Sequence, residues 1–159
     1  MRITIVFGVA LFLSACQATG GRSADWTVPP GSRLVLNKAL TIPAHTAHIT
    51  LQGGRMVTNQ AIDSYYPNCD FQLRTKSSKP QTLKPGSFTI TRVSMGDNPA
   101  SGRDIRNYYT EMRLHSEAQP QVYYLKCQQW SNYLESFDYV TVAEIRTALG
   151  EYFTLELKP

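Results

Sequence analysis

The chain has 159 residues, 42% hydrophobic and 18% charged, with 16 basic and 12 acidic side chains for a net charge of +4. That length fits one domain, and the apolar share excludes a disordered chain. No apolar run reaches the 18 residues of a membrane-spanning helix, 3 cysteines are too few for a disulfide-dense miniprotein, and so small a basic excess does not point to nucleic acid.

The chain opens on Met1 and Arg2, followed by an eleven-residue apolar run, Ile3 to Leu13. At about 1.5 Å per residue that run covers roughly half of a ~30 Å hydrocarbon core, which suits a signal peptide over 1–15 and not an anchor helix. Small residues follow, and then Cys16. The string Leu13-Ser14-Ala15-Cys16 resembles the lipobox of bacterial membrane lipoprotein precursors. The resemblance implies cleavage before Cys16 and lipid attachment at its sulfur. Gln17 stands where an Asp would favour inner-membrane retention, which implies an outer-membrane lipoprotein facing the periplasm. Several acyl chains on one residue make attachment stable, since each buried methylene contributes about 0.8 kcal/mol and a single chain holds only marginally. The alternative is an ordinary secretory signal followed by a cysteine of no special role.

Residues 16–31 carry Gly, Pro and Ser without periodicity and read as a lipidated tether, with Trp26 its one large apolar residue. A single, mostly β domain is expected over 32–159. Arg33 to Asn37 is a short apolar run. Ala47, Ile49 and Leu51 alternate with polar neighbours, and Gly53-Gly54 reads as a turn. Cys69, Phe71 and Leu73 share one face, Phe88 to Val93 is rich in β-branched residues, and Gly96-Asp97-Asn98-Pro99 reads as a turn. Further alternation places Tyr108, Thr110, Met112 and Leu114 inward, then Tyr123, Leu125 and Cys127, and finally Phe153, Leu155 and Leu157. Between the last two runs, Thr141-Val142-Ala143-Glu144 has capping-box spacing, so the pattern predicts a helix over 141–149, ended by Gly150. Clean alternation implies one wet face per strand. An α+β, mostly β fold follows: an antiparallel β-sandwich or small open barrel with one helix in its C-terminal region.

With Cys16 lipidated, Cys69 and Cys127 remain, in two alternating runs with 57 residues between them. An oxidising compartment makes them a strand-to-strand disulfide. A redox or metal pair is the other reading, but neither a CxxC nor a neighbouring His supports it. Among the histidines, His45 and His48 form an H-x-x-H, whose rings a strand would send to opposite faces. No metal or cofactor site is expected. The G-x-S-x-G and S-x-x-K nucleophile patterns and phosphate-cradling glycine loops are absent from the sequence. No catalytic residue can be named, and a non-enzyme is expected.

Tyrosine is the unusual component. There are 9, and six fall in pairs: Tyr65-Tyr66, Tyr108-Tyr109 and Tyr123-Tyr124. A pair on a strand places one ring on each face, so Tyr109 and Tyr124 are candidates for an outward aromatic surface, together with Tyr65 and Tyr66. Such a surface suits sugar rings or a partner protein; ordinary cross-strand packing is the alternative.

The segments LQGGR, YYPNC and TVAEIRTALG resemble proteobacterial envelope lipoproteins, a resemblance that brings no active site with it. The expected function is that of a lipid-anchored, non-catalytic binding or structural accessory of the cell envelope, with an envelope protein or glycan as partner. A glycan- or cell-wall-binding module is the alternative, and a hydrolase with an unrecognised site is the third.

Overall fold

The structure, a computed structural model, describes residues 27–100, 104–132 and 139–159. The signal segment, Cys16, Gln17 and Trp26 lie outside the described residues. In chain order the strands are β1 (Arg33–Leu36), β2 (Leu40–Ile42), β3 (His48–Gln52), β4 (Arg55–Val57), β5 (Asn68–Leu73), β6 (Gln81–Leu83), β7 (Gly86–Pro99), β8 (Arg106–His115), β9 (Val122–Ser131) and β10 (Phe153–Glu156). The helix α1 (Val142–Leu149) lies between β9 and β10.

Eight strands form one antiparallel sheet in the order β10-β1-β7-β8-β9-β5-β3-β4, curled into a half-barrel. β2 and β6 pair separately as a small second sheet, which the sequence pattern did not announce because each strand has only three residues. The inner face carries the core. Phe71 sits with its ring centre 6.0 Å from that of Phe88 and 4.9 Å from that of Phe153, so β5, β7 and β10 meet across the interior. Each large apolar side chain fully buried there contributes about 1.5–3 kcal/mol. Val28 is also buried, and Gly31 with φ +92° turns the chain between it and β1, so the packed unit takes in residues from the end of the tether segment.

α1 packs against β10, β3 and β5. Its start is the expected capping box. The Glu144 N–H donates to Thr141 Oγ1 at 3.2 Å, and the Thr141 N–H donates to Glu144 Oε2 at 2.8 Å. Val142, Ile145, Ala148 and Leu149 form its buried side. The β3–β4 turn docks on the helix end, where the Gly54 N–H donates to the Ala148 carbonyl at 3.1 Å.

The half-barrel with one helix agrees with the expected fold class, and Cys69 and Cys127 are disulfide-bonded at facing positions of β5 and β9. Three details differ. Gly96-Asp97-Asn98-Pro99 is not a turn: β7 continues through it, paired with β8 and held by the Arg106–Asp97 ion pair. Leu157 does not point into the core; β10 stops at Glu156 and Leu157 is exposed. Tyr123 leaves the alternation, because Gln72 pairs with Tyr124 and Leu73 with Val122, so Tyr123 is an extra, bulged residue.

Candidate binding surface

The outward residues of β7, β8, β9, β5 and β3 line up in cross-strand rows. Glu111 faces Lys126, and Lys126 faces Asp70. Arg113 faces Tyr124, which faces Gln72, which faces His48. Charge therefore alternates across the face, the favourable arrangement for neighbours on a sheet. Asp70 Oδ1 lies 2.6 Å from His48 Nδ1 and accepts from Thr50 Oγ1 at 3.4 Å. Glu111 is bridged to Arg113 at 3.1 Å.

The rings on this face carry cations. Lys126 Nζ stands 4.2 Å from the centre of the Tyr109 ring. That ring also lies across β7: a Cβ on Gly96 would fall 2.7 Å from Tyr109 Oη, so any other residue there has to push the ring aside. The bulge brings Tyr123 to the same side, where the Arg113 and Arg74 guanidiniums sit 4.1 Å and 5.0 Å from its ring centre. Tyr124 donates its hydroxyl to Gln72 Oε1 at 2.5 Å. Burial raises the Tyr124 phenol above its ordinary value of 10.0; the Asp70 and Glu111 carboxylates add to this and Arg113 opposes it. Tyr109 and Tyr124 are thus half-buried members of a polar lattice, and Tyr108 packs inward, edge-on to Tyr139.

Tyr65 and Tyr66 stand elsewhere, on the loop before β5, and are 51% and 64% exposed. The loop is tightly held. The Gln52 side-chain amide donates to the carbonyls of Asp63 and Tyr66 and accepts from the Asp63 N–H. Asp63 Oδ1 accepts from the Tyr65 N–H, Asn68 Nδ2 donates to the Tyr66 carbonyl, and the Trp130 N–H donates to the Ser64 carbonyl. Two large apolar side chains on a fixed loop are presented at little ordering cost. Tyr65 meets the edge of Trp130 at 5.9 Å between ring centres. Trp130 was not among the residues singled out from the sequence. Its signal was parity: it lies two residues beyond Gln128, on the outward side of β9.

Tyr66 lines a different feature, a cavity of about 380 Å³ between this loop and α1. Gln52, Gly53 and Pro67 form one wall, and Thr147 and Ala148 of the helix form the other. The wall is mainly apolar, and Asp63 and Glu144 are also among the residues that line it. The four candidate tyrosines are therefore divided: Tyr109 and Tyr124 on the sheet face, Tyr65 against Trp130, and Tyr66 at the helix cavity. The other named residue, Cys16, lies outside the described residues. Among the described residues no group of three or more His, Cys, Asp or Glu gathers as metal ligands would. Comparison with family models, curated proteins and solved structures finds no match to this chain.

Proposed function

We propose that this protein is a lipid-anchored lipoprotein of the outer membrane, its domain facing the periplasm, where it serves as a non-catalytic binding or structural accessory of the cell envelope. The observation that carries the reading is the N-terminal run ending in Leu13-Ser14-Ala15-Cys16. A buried disulfide between β5 and β9 supports it, because such bonds persist in oxidising compartments. The rigid loop with its two exposed tyrosines supports a binding role over a purely space-filling one.

Radiolabelled fatty acid supplied to growing cells tests the anchor. Wild-type protein incorporates label and fractionates with outer membrane, whereas Cys16→Ser protein does neither and keeps its leader. Label retained by Cys16→Ser overturns the anchor site. A glycan-binding function is the second reading, favoured by the exposed Tyr65 ring against Trp130, since rings at a surface suit sugar faces. It requires that retention on envelope glycans fall on Tyr65→Ala; equal retention removes it.

A further inference from the structure

Two irregularities of the sheet meet on its outward face. In β7, Ile90 faces Leu114 and Arg92 faces Arg113, so Thr91 is an extra residue, and its hydroxyl donates to the Arg113 carbonyl at 3.3 Å. In β9 the extra residue is Tyr123. β8 lies between these two strands, with Arg113 between the two bulges. Strict alternation would send Arg92 inward with Ile90; the bulge turns it outward, directly opposite Arg113. Like charges so placed repel and destabilise a strand pair. The second bulge adds the Tyr123 ring, with the Arg113 guanidinium 4.1 Å and that of Arg74 5.0 Å from its centre. Arg74 Nε donates to the Pro120 carbonyl at 3.0 Å, which fixes this head without neutralising it. Of the described carboxylates only Glu111 pairs with any of the three arginines, 3.1 Å from Arg113. Three cations and one anion are thus gathered around one ring, and a further anion would relieve their repulsion.

Where the chain enters the domain says which anion. The Gly31 N–H donates to the Ile90 carbonyl at 2.7 Å, so the polypeptide arrives beside the β7 bulge. Ten residues separate Cys16 from Thr27. Ten extended residues span at most about 35 Å, so a lipid on Cys16 keeps this face within reach of the bilayer. Guanidiniums fork onto phosphate oxygens, and a tyrosine ring, apolar in body and polar at its tip, suits the headgroup layer. We propose that Arg74, Arg92 and Arg113, with Tyr123, dock on anionic lipid headgroups of the membrane that holds the anchor. The proposal rests on the anchor reading above and gives the domain an orientation on that membrane.

The test measures how fast phenylglyoxal modifies each arginine of the mature lipidated protein, resolved by mass spectrometry of its peptides. The protein is held in vesicles of phosphatidylcholine alone or with about 30% phosphatidylglycerol, which supplies the anionic surface. Exposed Arg55, on the edge strand β4, is the internal reference. In the anionic vesicles Arg74, Arg92 and Arg113 react about fivefold more slowly relative to Arg55, the scale of one basic residue at an anionic surface, and about 0.5 M sodium chloride removes the difference. Arg92→Gln, at an exposed position without an ion pair among the described residues, keeps the fold and weakens the protection of Arg74 and Arg113. The same protein in detergent micelles is treated with inorganic phosphate or a triglutamate peptide as the competing anions. Equal rates in the two vesicles, protection of Arg55 as great as that of the three, protection unchanged by Arg92→Gln, or protection by phosphate or the peptide equal to that by anionic vesicles would each overturn the proposal. Acyl labelling at Cys16 is read separately, so a labelled protein whose arginines are not protected loses the docking face and keeps the anchor.

Discussion

At Gly150 the last turn of α1 meets the β3–β4 turn with no room for a side chain. A Cβ there would lie 2.4 Å from the Gly54 Cα, and the backbone sits at φ +54°, ψ −137°, a combination that other residues avoid. Gly150→Ala therefore has to push the β3–β4 turn off the helix end and strain its own backbone as well. It should cost more than about 2 kcal/mol, read as a lowered denaturant midpoint at unchanged slope. The Tyr124 phenol gives a prediction in pH. Its hydroxyl donates to Gln72, and burial, seconded by Asp70 and Glu111, raises it above 10.0. The folded protein thus holds this proton more tightly than the unfolded chain does. The associated stability is fully present below the unfolded phenol's value of about 10 and is lost as pH rises through the higher folded value. Denaturation midpoints followed upward from about pH 9 should fall more steeply for wild type than for Tyr124→Phe. Near-ultraviolet phenolate absorbance should show one fewer late-titrating tyrosine in the variant.

Elements whose signal is local were readable before the structure. The helix shows itself through a Thr hydroxyl, a Glu three residues on and an apolar stripe, all close together in the chain, and the structure has those contacts. β5 and β8 follow from period-two alternation alone. What escaped depends on partners distant in sequence. β7 continues through Gly96 and Pro99 because β8 pairs with it residue by residue, overriding four residues of turn chemistry. The Tyr123 bulge exists because β5 and β9 fall out of step between Gln72 and Leu73, which neither strand reveals by itself. For the same reason the candidate tyrosines were legible as a group but not as three separate places, and Trp130 was missed until β9 had a face. The disulfide belongs at this scale too. It joins β5 to β9 in the middle of the sheet and closes a loop of 57 residues. In the chain-entropy account its removal frees the unfolded chain more than it loosens the folded one. Cys69→Ala with Cys127→Ala should lower stability by about 2–4 kcal/mol, a shift in denaturant midpoint that dithiothreitol reproduces in wild type and does not add to in the variant.

For the whole molecule, the proposed leader and the staple in the middle of the sheet bear on each other through redox chemistry. The bridge lies on the inner face of the half-barrel, with both cysteines at 0% exposure. Its thiols must therefore meet an oxidant before or during folding, while β5 and β9 are still accessible, and glutathione and thioredoxin keep cytosolic thiols reduced. A leader that delivers the chain unfolded to the periplasm satisfies that order; folding first in the cytosol does not. Protein produced without residues 1–15 and kept in a reducing cytosol should then carry Cys69 and Cys127 as thiols, inert to alkylation until denatured. It should show the same lowered denaturant midpoint as the Cys69→Ala, Cys127→Ala protein. Unfolding it in denaturant with a glutathione redox couple and refolding should restore the midpoint of exported material, whereas adding the same couple to the folded protein should act only at the rate of unfolding. Alkylation followed by mass measurement reads each state. Exported protein with two alkylatable thiols, or cytosolic protein already bridged, would separate the staple from the address and leave the compartment to rest on Cys16 alone.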